Sequence, residues 1–332
     1  QNIKLGSFRN DYIYDTIQNF LLLTEYNTIA SSMGTFTDRI KKFYTYFSKK
    51  YPDNFLKNKD KTEILTESFD NVEKFAESMV EAIKLGFPQN YKQSVIVFVV
   101  QKVELNIFDQ YSISNELYDK YGIVTKRLTL SEIKKNCTQD DQGNLLVDGK
   151  IISLFYFRIG YRESDYPDEE SWQGRELIEL STAIKVPDIN TFLTTFKVFQ
   201  YYLSKPDILM HYCQNELIIN DILRFFGGIY YARDMTDEQK KELFEKIKNN
   251  PDQYILKPMK EGGGNNISGD KLKSNIPESG SEPNDLIKNS IIVEKIACNA
   301  HESVVLKNEN ISIENTVSEF SIYGIILTND KN

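Results

Sequence analysis

The spacing of apolar residues predicts two kinds of element in the first third of the chain. Between residues 36 and 86, apolar residues such as Ile40, Phe43, Tyr44 and Phe47 recur at helical spacing, with lysines and glutamates between them. The run SVIVFVVQ (94–101) is short, β-branched and nearly uncharged, which indicates a buried strand of a parallel sheet. We therefore expect a helical segment followed by the first strand of an α/β unit.

Strand and helix patterns then alternate from about residue 94 to residue 190. ISNELYDKYGIVTKRLTL contains a helical pattern, a glycine break and a second strand pattern. GKIISLFYFRIGY (149–161) predicts a further strand, and SWQGRELIELSTAI predicts a further helix. This alternation is typical of a small doubly wound α/β unit.

The last part of the chain has a helical pattern first and strand patterns afterwards. The chain becomes helical again after Lys197, and TDEQKKELFEKIKNN begins with a capping box of Thr236 and Gln239. Strand patterns follow in QYILKPM, SIIVEKI and TVSEFSIYGIIL, of which the last alternates as an antiparallel strand with one covered face would. Between the first two strands, KSNIPESGSEPND (273–285) is polar and rich in serine, which predicts a mobile surface loop.

Composition and charge exclude several classes of function. The 332 residues include 40 basic and 48 acidic side chains, a formal charge of -8, which argues against nucleic acid or an anionic membrane as the main partner. No apolar run approaches the ~18 residues of a membrane-spanning helix, and QNIKLGSFRN has no signal-peptide pattern. Two histidines make a histidine-based zinc site or a Ser-His-Asp triad improbable. The cysteines Cys137, Cys213 and Cys298 are far apart, so we expect free thiols in a reducing cytoplasm.

The stretch QYILKPMKEGGGNN (253–266) carries the clearest candidate chemistry, although it matches neither of the common glycine-rich phosphate motifs. Lys257 lies at the predicted strand end, where it can reach a nucleotide phosphate. The three glycine amides that follow can approach phosphate oxygens, because no Cβ blocks them. Glu261 offers an oxygen ligand for the magnesium that accompanies ATP. The alternative is an ordinary surface hairpin tip.

Other segments extend this pattern along nearly the whole chain, from about residue 3 to residue 328. They are LTEYNTIASSMG (23–34), NIFDQ (106–110), YFRIGY (156–161), AIKVPDI (183–189), VEKI (293–296) and SEFSIYGI (318–325). In this order, and together with ILKPMKEGGGNN, they resemble the motifs of eukaryotic-type glutathione synthetases, which are ATP-grasp ligases. The resemblance implies an α/β fold (α+β overall), in which an ATP-grasp body holds nucleotide between two β-layers and carries an inserted doubly wound α/β substrate-binding domain.

The resemblance also implies a domain organisation. Residues 1–93 would form the N-terminal part of the ATP-grasp body, residues 94–195 the substrate-binding domain, and residues 196–332 the nucleotide-binding region. Members of the family are homodimers. They continue beyond both ends of this sequence, so we expect the chain to be incomplete at both ends.

For magnesium and ATP, roles follow from the family residue by residue. Metal ligands match Glu25, Asn27 and Glu261. The residues that match nucleotide contacts are Glu25, Lys197, Lys257, Gly262, Gly263, Gly264, Asn265, Asn266, Val293, Glu294, Lys295, Ile296 and Glu319. Backbone groups of Val293 and Ile296 would meet adenine, and Glu319 would bind near the ribose. Without the resemblance, Lys197 would be assigned to a solvated helix face.

The resemblance also implies a second set of residues, which would bind the dipeptide and the acceptor amine. The substrate-binding positions are Arg9, Ala30, Ser31, Ser32, Glu104, Asn106, Gln110, Arg158 and Tyr161. Arg158 would hold a carboxylate by paired hydrogen bonds, and Glu104 would hold the ammonium group. Arg9, beside the glycine site, would stabilise the tetrahedral intermediate, and Arg9, Ser32 and Glu261 form the catalytic set. Ala30, Ile159 and Ser268 replace a serine, an aspartate and an aromatic residue of the family.

The implied activity is that of a glutathione synthetase, an ATP-dependent carbon–nitrogen ligase. It would join γ-glutamylcysteine to glycine through an acyl phosphate, releasing ADP and phosphate. Two alternatives remain open. One is a homoglutathione-type synthetase that uses another amine acceptor, such as β-alanine or serine, and the other is a non-catalytic relative that binds nucleotide or peptide.

Overall fold

The computed structural model describes residues 3–31, 33–50, 70–260, 264–278, 281–307 and 309–329. The α-helices are α1 (Gly34–Lys50), α2 (Asn71–Gly86), α3 (Ile107–Tyr121), α4 (Leu130–Asn136), α5 (Glu169–Leu180), α6 (Ile189–Leu193), α7 (Lys197–Leu203), α8 (Pro206–Met210), α9 (Glu216–Leu223), α10 (Asp237–Asn249), α11 (Gly269–Asn275) and α12 (Asp285–Lys288). The strands are β1 (Ile3–Asp15), β2 (Phe20–Asn27), β3 (Val95–Val99), β4 (Val124–Leu128), β5 (Cys137–Gln139), β6 (Leu145–Val147), β7 (Lys150–Phe157), β8 (Ile184–Val186), β9 (Ile229–Tyr231), β10 (Tyr254–Pro258), β11 (Ile267–Ser268), β12 (Ser290–Glu294), β13 (His301–Lys307), β14 (Asn310–Thr316) and β15 (Phe320–Asn329).

The chain folds into two compact units, and neither is a single stretch of sequence. Unit 1 comprises Gln1–Phe8, Thr28–Phe192 and Tyr323–Asn332. Unit 2 comprises Arg9–Asn27 and Leu193–Ile322. Residues that are close in sequence, such as those on either side of Asn27, can therefore belong to different units.

Unit 1 is built on a six-stranded sheet in the order β4-β3-β7-β6-β5, with β8 paired to β7. β4, β3, β7 and β8 run parallel, whereas β5 and β6 are antiparallel additions. This confirms the predicted α/β unit with its strands at 94–101 and 149–161. β3 is buried along its whole length, because helices cover a parallel sheet on its faces.

The core of unit 1 joins β3, β7 and β8 to the buried faces of α2 and α3. Met79 and Ile83 of α2 and Leu117 of α3 are among its fully buried side chains. Each such side chain contributes roughly 1.5–3 kcal/mol relative to exposure. α3 ends at Gly122, whose φ of 67° is left-handed, so the predicted glycine break is a helix C-cap.

Unit 2 contains a four-stranded antiparallel sheet in the order β11-β10-β12-β9. Alternate residues of β10 face opposite ways: Tyr254 and Leu256 are buried in a core that includes Phe244 and Ile247 of α10. The predicted capping box of Thr236 and Gln239 is present at the start of α10. The residues that alternate with them, which include Lys257, therefore face the other side of β10.

Three further strands form a second sheet in the order β15-β1-β2, and β13 pairs with β14. In the register of β1 and β2, Arg9 lies opposite Asn27 and Asp11 lies opposite Glu25. Because side chains alternate along a strand, these four residues share one face of the sheet.

One expectation needs correction. The 273–285 segment is not a loop throughout: α11 continues to Asn275 and α12 begins at Asp285, because Leu272 and Ile287 are fully buried and anchor these helices. The helical region predicted at residues 36–86 is confirmed in its described parts by α1 and α2, and Ile40 and Phe43 of α1 are more than half exposed. Residues 51–69 of the predicted helical region lie outside the described residues.

Within the described ranges, no helix is both long enough and apolar enough to cross a membrane. Cys137, Cys213 and Cys298 are free thiols, as the sequence predicts.

Candidate functional site

A cavity of about 440 Å³ in unit 2 brings distant segments of the chain together. This volume is within the usual range for small-molecule sites. Its lining residues are Ile13, Leu23, Thr24, Glu25, Gln200, Gly227, Gly228, Ile229, Ile255, Lys257, Asn266, Val293, Glu294, Lys295, Ile296, Cys298, Val317 and Glu319. Eight of the residues assigned to nucleotide from the sequence, from Glu25 to Glu319, are therefore around one space. A groove of about 400 Å³ along α10 contains none of the predicted site residues.

Lys257 extends from β10 across this cavity. Its Nζ donates to the backbone oxygen of Thr24 in β2 at 2.7 Å. Burial lowers the pKa of Lys257 below its ordinary value of 10.5, and the positive charge of Lys197 lowers it further, although Glu25 and Glu319 act in the opposite direction. An ammonium group whose charged form is disfavoured by burial is stabilised by an anionic ligand.

Lys197 is buried at the first position of α7, and its Nζ donates to the backbone oxygen of Lys260 at 3.0 Å. A solvated helix face is therefore wrong for this residue. Lys197 does not line the cavity, but its charge acts on Lys257. Its partner Lys260 directly precedes Glu261 and the three glycines in the sequence. Lys197 is therefore hydrogen-bonded to the residue just before the predicted glycine loop.

The wall opposite Lys257 is formed where β12 ends. The Glu294 amide donates to the Gly228 oxygen at 2.8 Å, and the Tyr230 hydroxyl donates to Glu294 Oε1 at 2.6 Å. A Cβ on Gly228 would lie 2.4 Å from the Glu294 carboxyl carbon, so a larger residue would require the Glu294 side chain to move. The Lys295 amide donates to the Gln253 oxygen at 2.7 Å. These bonds fix the path of residues 293–296 along the cavity.

Part of the predicted glycine loop can be placed. Gly264 has a φ of 84°, a left-handed conformation that favours glycine, and Asn266 lines the cavity. Asn265 lies between them. Glu261, Gly262 and Gly263 lie outside the described residues, as does Ser32.

Arg9, Asp11 and Asn27 form a cluster on the shared face of β1 and β2. The Arg9 Nε donates to both Asp11 oxygens at 3.0 Å, and the Asn27 Nδ2 donates to Asp11 Oδ2 at 3.1 Å. Glu319 contacts β2 as well, because it accepts a hydrogen bond from the Thr24 hydroxyl at Oε1 over 2.9 Å. Asp11 thus connects Asn27, one of the metal ligands expected from the sequence, with Arg9.

Magnesium requires oxygen ligands and usually keeps several waters, so a protein supplies only one or two carboxylates. Glu25 and Asn27 fit this requirement, because they are two positions apart on one strand and so share a face. No group of three or more His, Cys, Asp or Glu residues with metal-ligand geometry occurs in the described ranges.

In unit 1, the predicted dipeptide residues follow the carboxyl ends of the parallel strands β3 and β7. Open α/β sheets bind ligands at this edge. Glu104 accepts bonds from the Asn106 amide at 2.9 Å and from Gln110 Nε2 at 2.7 Å. Gln110 in turn accepts a bond from Arg127 of β4. The structure therefore brings Glu104, Asn106 and Gln110 together.

Arg158 follows β7 and forms a buried ion pair with Asp109 of α3; the two side chains are 3% and 2% exposed. Removing one member of such a pair leaves an uncompensated buried charge. The Arg158 Nε is buried and has no hydrogen-bond partner within the described residues. An unsatisfied donor of this kind suits a ligand carboxylate.

A smaller cavity of about 190 Å³ in unit 1 is lined by Ser31 together with Asp109 and Tyr156. Ala30, just before it, has a left-handed φ of 51°. Tyr161 lies in a turn in which Asp165 accepts bonds from three successive amides, those of residues 160–162. Ile159 is buried, so its departure from the family pattern adds to the apolar interior.

Sequence reasoning missed several residues of these sites. Asp11 could have been found, because it lies two positions after Arg9 in a strand and so faces the same way. Asp109 stands inside the quoted NIFDQ segment without an assigned role. Nothing local in the sequence indicates that Gly228 and Tyr230 meet Glu294, since these contacts join segments that are more than 60 residues apart.

The fold and these sites define the class of protein. The solved apo structure of a glutathione synthetase-like effector from Globodera pallida aligns with a TM-score of 0.74 at 16% identity, over 100% of this chain and 70% of that one. The chain thus has the fold of this glutathione synthetase-like protein.

Sequence comparison identifies the family. The family model "Eukaryotic glutathione synthase, ATP binding domain" matches residues 1–332, and the chain belongs to this family. It is 31% identical over 330 residues to the chloroplastic glutathione synthetase of Solanum lycopersicum, covering 99% of this chain and 58% of the relative. It is 30% identical over 342 residues to the glutathione synthetase of Dictyostelium discoideum, covering 99% of this chain and 69% of that relative. The chain thus spans 58% of the first relative's length and 69% of the second's.

Proposed function

We propose that the protein is an ATP-dependent glutathione synthetase that joins γ-glutamylcysteine to glycine. The observation that carries the proposal is the cavity of unit 2, where Lys257, Glu25, Glu319 and the 293–296 segment come from four distant parts of the sequence. Family membership over the whole chain supports the same activity.

In this proposal the cavity binds ATP. The Lys257 ammonium group would contact a phosphate, as would the amides of the glycine segment up to Gly264. Backbone groups of Val293 and Ile296 would meet adenine, and Glu319 would bind near the ribose. The lowered pKa of Lys257, which results mainly from burial, supports this role, because a phosphate beside the ammonium group would stabilise its charged form.

Glu25 and Asn27, with Glu261, would hold Mg²⁺. The ion, when bound, neutralises charge on the phosphates of the nucleotide. Lys257 and Lys197 would neutralise phosphate charge from the protein side. These residues position the nucleotide and need no titrating histidine.

The dipeptide would be bound by the residues of unit 1 that follow β3 and β7. The Arg158 guanidinium would hold a carboxylate through its unsatisfied Nε, and Glu104 would hold the ammonium group, with Asn106, Gln110 and Tyr161 nearby. Ser31 lines the small cavity beside Asp109, which supports a substrate contact there.

The reaction would proceed in two transfers. The cysteinyl carboxylate of the dipeptide attacks the γ-phosphorus of ATP, forming an acyl phosphate and releasing ADP as the leaving group. The amine of glycine then attacks the acyl carbon, loses a proton and displaces phosphate. Arg9, held by Asp11, would stabilise the negative charge of the tetrahedral intermediate.

We further propose a cytoplasmic homodimer with an ATP-grasp body in residues 1–93 and 196–332 and a substrate-binding domain in residues 94–195. Three free thiols support a reducing compartment. The parallel sheet between residues 95 and 186 supports a substrate-binding domain in that segment.

An assay of ADP release by the full-length protein tests the function. We expect release to require both γ-glutamylcysteine and an amine, and glycine to be preferred over β-alanine and serine. Lys257→Met should abolish release, whereas Lys271→Met, which removes an exposed lysine of the same unit, should not. Preference for β-alanine or serine would indicate a homoglutathione-type synthetase, and nucleotide binding without turnover would indicate a non-catalytic relative.

A further inference from the structure

A buried carboxylate, Asp11, joins three strands of unit 2. Its side chain accepts bonds from Arg9 of β1, Asn27 of β2 and Ser321 of β15. The Arg9 Nη2 is 2.8 Å from Oδ2, the Asn27 Nδ2 is 3.1 Å from Oδ2, and the Ser321 Oγ is 2.6 Å from Oδ1. Asp11 is only 3% exposed.

We propose that Asp11 is a positioning residue for the magnesium site, and that it fixes the orientation of the Asn27 amide. This inference rests on the proposed function, in which Asn27 is a metal ligand. Only the oxygen of an asparagine side chain can bind a cation, because the amide nitrogen carries two hydrogens and offers no lone pair to a metal.

The chemistry of the contact sets the orientation. An ionised carboxylate only accepts hydrogen bonds, so Asn27 must present its nitrogen to Asp11. The amide group is planar, with oxygen and nitrogen on opposite sides, and Oδ1 is therefore turned away from Asp11. This contact keeps the amide nitrogen toward Asp11, and its loss would remove that constraint on the orientation of the amide.

Asp11 itself does not fit the role of a ligand. Both of its oxygens already accept hydrogen bonds, and the Arg9 guanidinium balances its charge. A metal ion on Asp11 would have to replace these donors in a buried place. Glu25, opposite Asp11 on the neighbouring strand, lines the cavity and is the carboxylate available to the ion. Partners that orient ligands in this way typically change metal affinity about 10–100-fold when mutated.

The test measures ADP binding by titration calorimetry, in excess Mg²⁺ and in EDTA, for the full-length protein and for Asp11→Asn. The substitution keeps the size of the side chain but introduces an amide that can no longer anchor both Arg9 and Asn27. We expect the affinity in EDTA to stay close to wild type, and the gain in affinity due to Mg²⁺ to fall about tenfold or more.

Asp15→Asn is the matched control. Asp15 is also a buried aspartate of β1, but it accepts bonds from the backbone amides of Ile17, Gln18 and Ala297. This variant should lose thermal stability and retain the full gain from Mg²⁺. Ser321→Ala removes one donor to Asp11 without touching Arg9 or Asn27, and it should reduce the gain about two- to threefold; it serves as the second test if Asp11→Asn does not fold.

Two results would overturn the inference. If Asp11→Asn and Ser321→Ala retained the wild-type gain from Mg²⁺, or lost ADP affinity equally with and without the ion, Asp11 would have no specific role at the metal. If the wild-type protein bound ADP without any gain from Mg²⁺, the proposed metal site itself would fail, and the role of Asp11 with it. The wild-type titration therefore separates the two failures.

Discussion

At the scale of single residues, the environment of Lys257 bears most directly on the proposed binding of phosphate. Burial and the charge of Lys197 both lower its pKa, and a bound phosphate would raise it again. Binding of an anion should therefore be accompanied by proton uptake wherever part of the free protein has a neutral Lys257. This condition is met around and above the lowered pKa of Lys257, which lies below the ordinary lysine value of 10.5.

We predict that ADP affinity decreases as the pH rises from neutral toward 10.5. Below the lowered pKa, Lys257 is charged in the free protein and binds phosphate directly; above it, binding must first recover a proton. Calorimetry in two buffers of different ionisation enthalpy would detect this uptake. Lys257→Met should bind weakly and show a flatter pH profile, whereas an unchanged profile in the variant would assign the effect to another group.

At the scale of elements, side-chain alternation determines which strands carry the sites. In β10, Tyr254 and Leu256 face the core, and Lys257 lies on the opposite face. In β1 and β2, the cross-strand pairs of Arg9 with Asn27 and of Asp11 with Glu25 gather four polar residues on one face. A register shift of one residue would turn these side chains to the other face and separate the site residues from each other.

The packing of α4 on α5 depends on a single glycine. A Cβ at Gly174 of α5 would lie 2.0 Å from the Leu130 oxygen at the start of α4. We predict that Gly174→Ala forces the two helices apart and destabilises unit 1 by about 1–3 kcal/mol. Glu176→Ala changes an exposed position of the same helix and should be nearly neutral. Urea unfolding measures the free energy of unfolding of both variants. If Gly174→Ala were as stable as Glu176→Ala, the two helices could move apart without a loss of stability.

At the scale of the whole molecule, the sites are distributed over two units. The residues around Lys257 that we propose for nucleotide belong to unit 2, and those around Arg158 that we propose for the dipeptide belong to unit 1. Each unit combines segments that are far apart in sequence. The 9–27 strand pair thus supplies Glu25 and Asn27 to a unit whose other residues begin at Leu193.

We predict that the two ligands protect different parts of the chain from hydrogen exchange. MgADP should slow exchange in peptides that cover residues 293–298, which border the cavity without regular structure beyond Glu294. γ-Glutamylcysteine should slow exchange in peptides that cover residues 104–111. Lys257→Met should remove only the first effect. Protection of the 104–111 peptides by MgADP alone, with none at 293–298, would contradict the assignment.

Much of this architecture could be predicted from the sequence. The apolar run of β3, the capping box of α10 and the glycine that ends α3 are local signals, and all three are confirmed. The ordered motifs also indicate the family from the sequence alone. The loop predicted at 273–285 was wrong at both ends, where α11 and α12 extend into it, because burial depends on neighbours that are distant along the chain.

The sequence by itself determined the element types, the family and the chemical kinds of residue available for phosphate and carboxylate, because these depend on local spacing and residue chemistry. Only the tertiary structure decided which of them meet. The hydrogen bonds of Asp11 to Arg9, Asn27 and Ser321, and the contact of Glu294 with Gly228, depend on strand register and on chain segments up to about 300 residues apart. Such contacts are a consequence of packing, in which distant faces are buried together, and local spacing does not specify them.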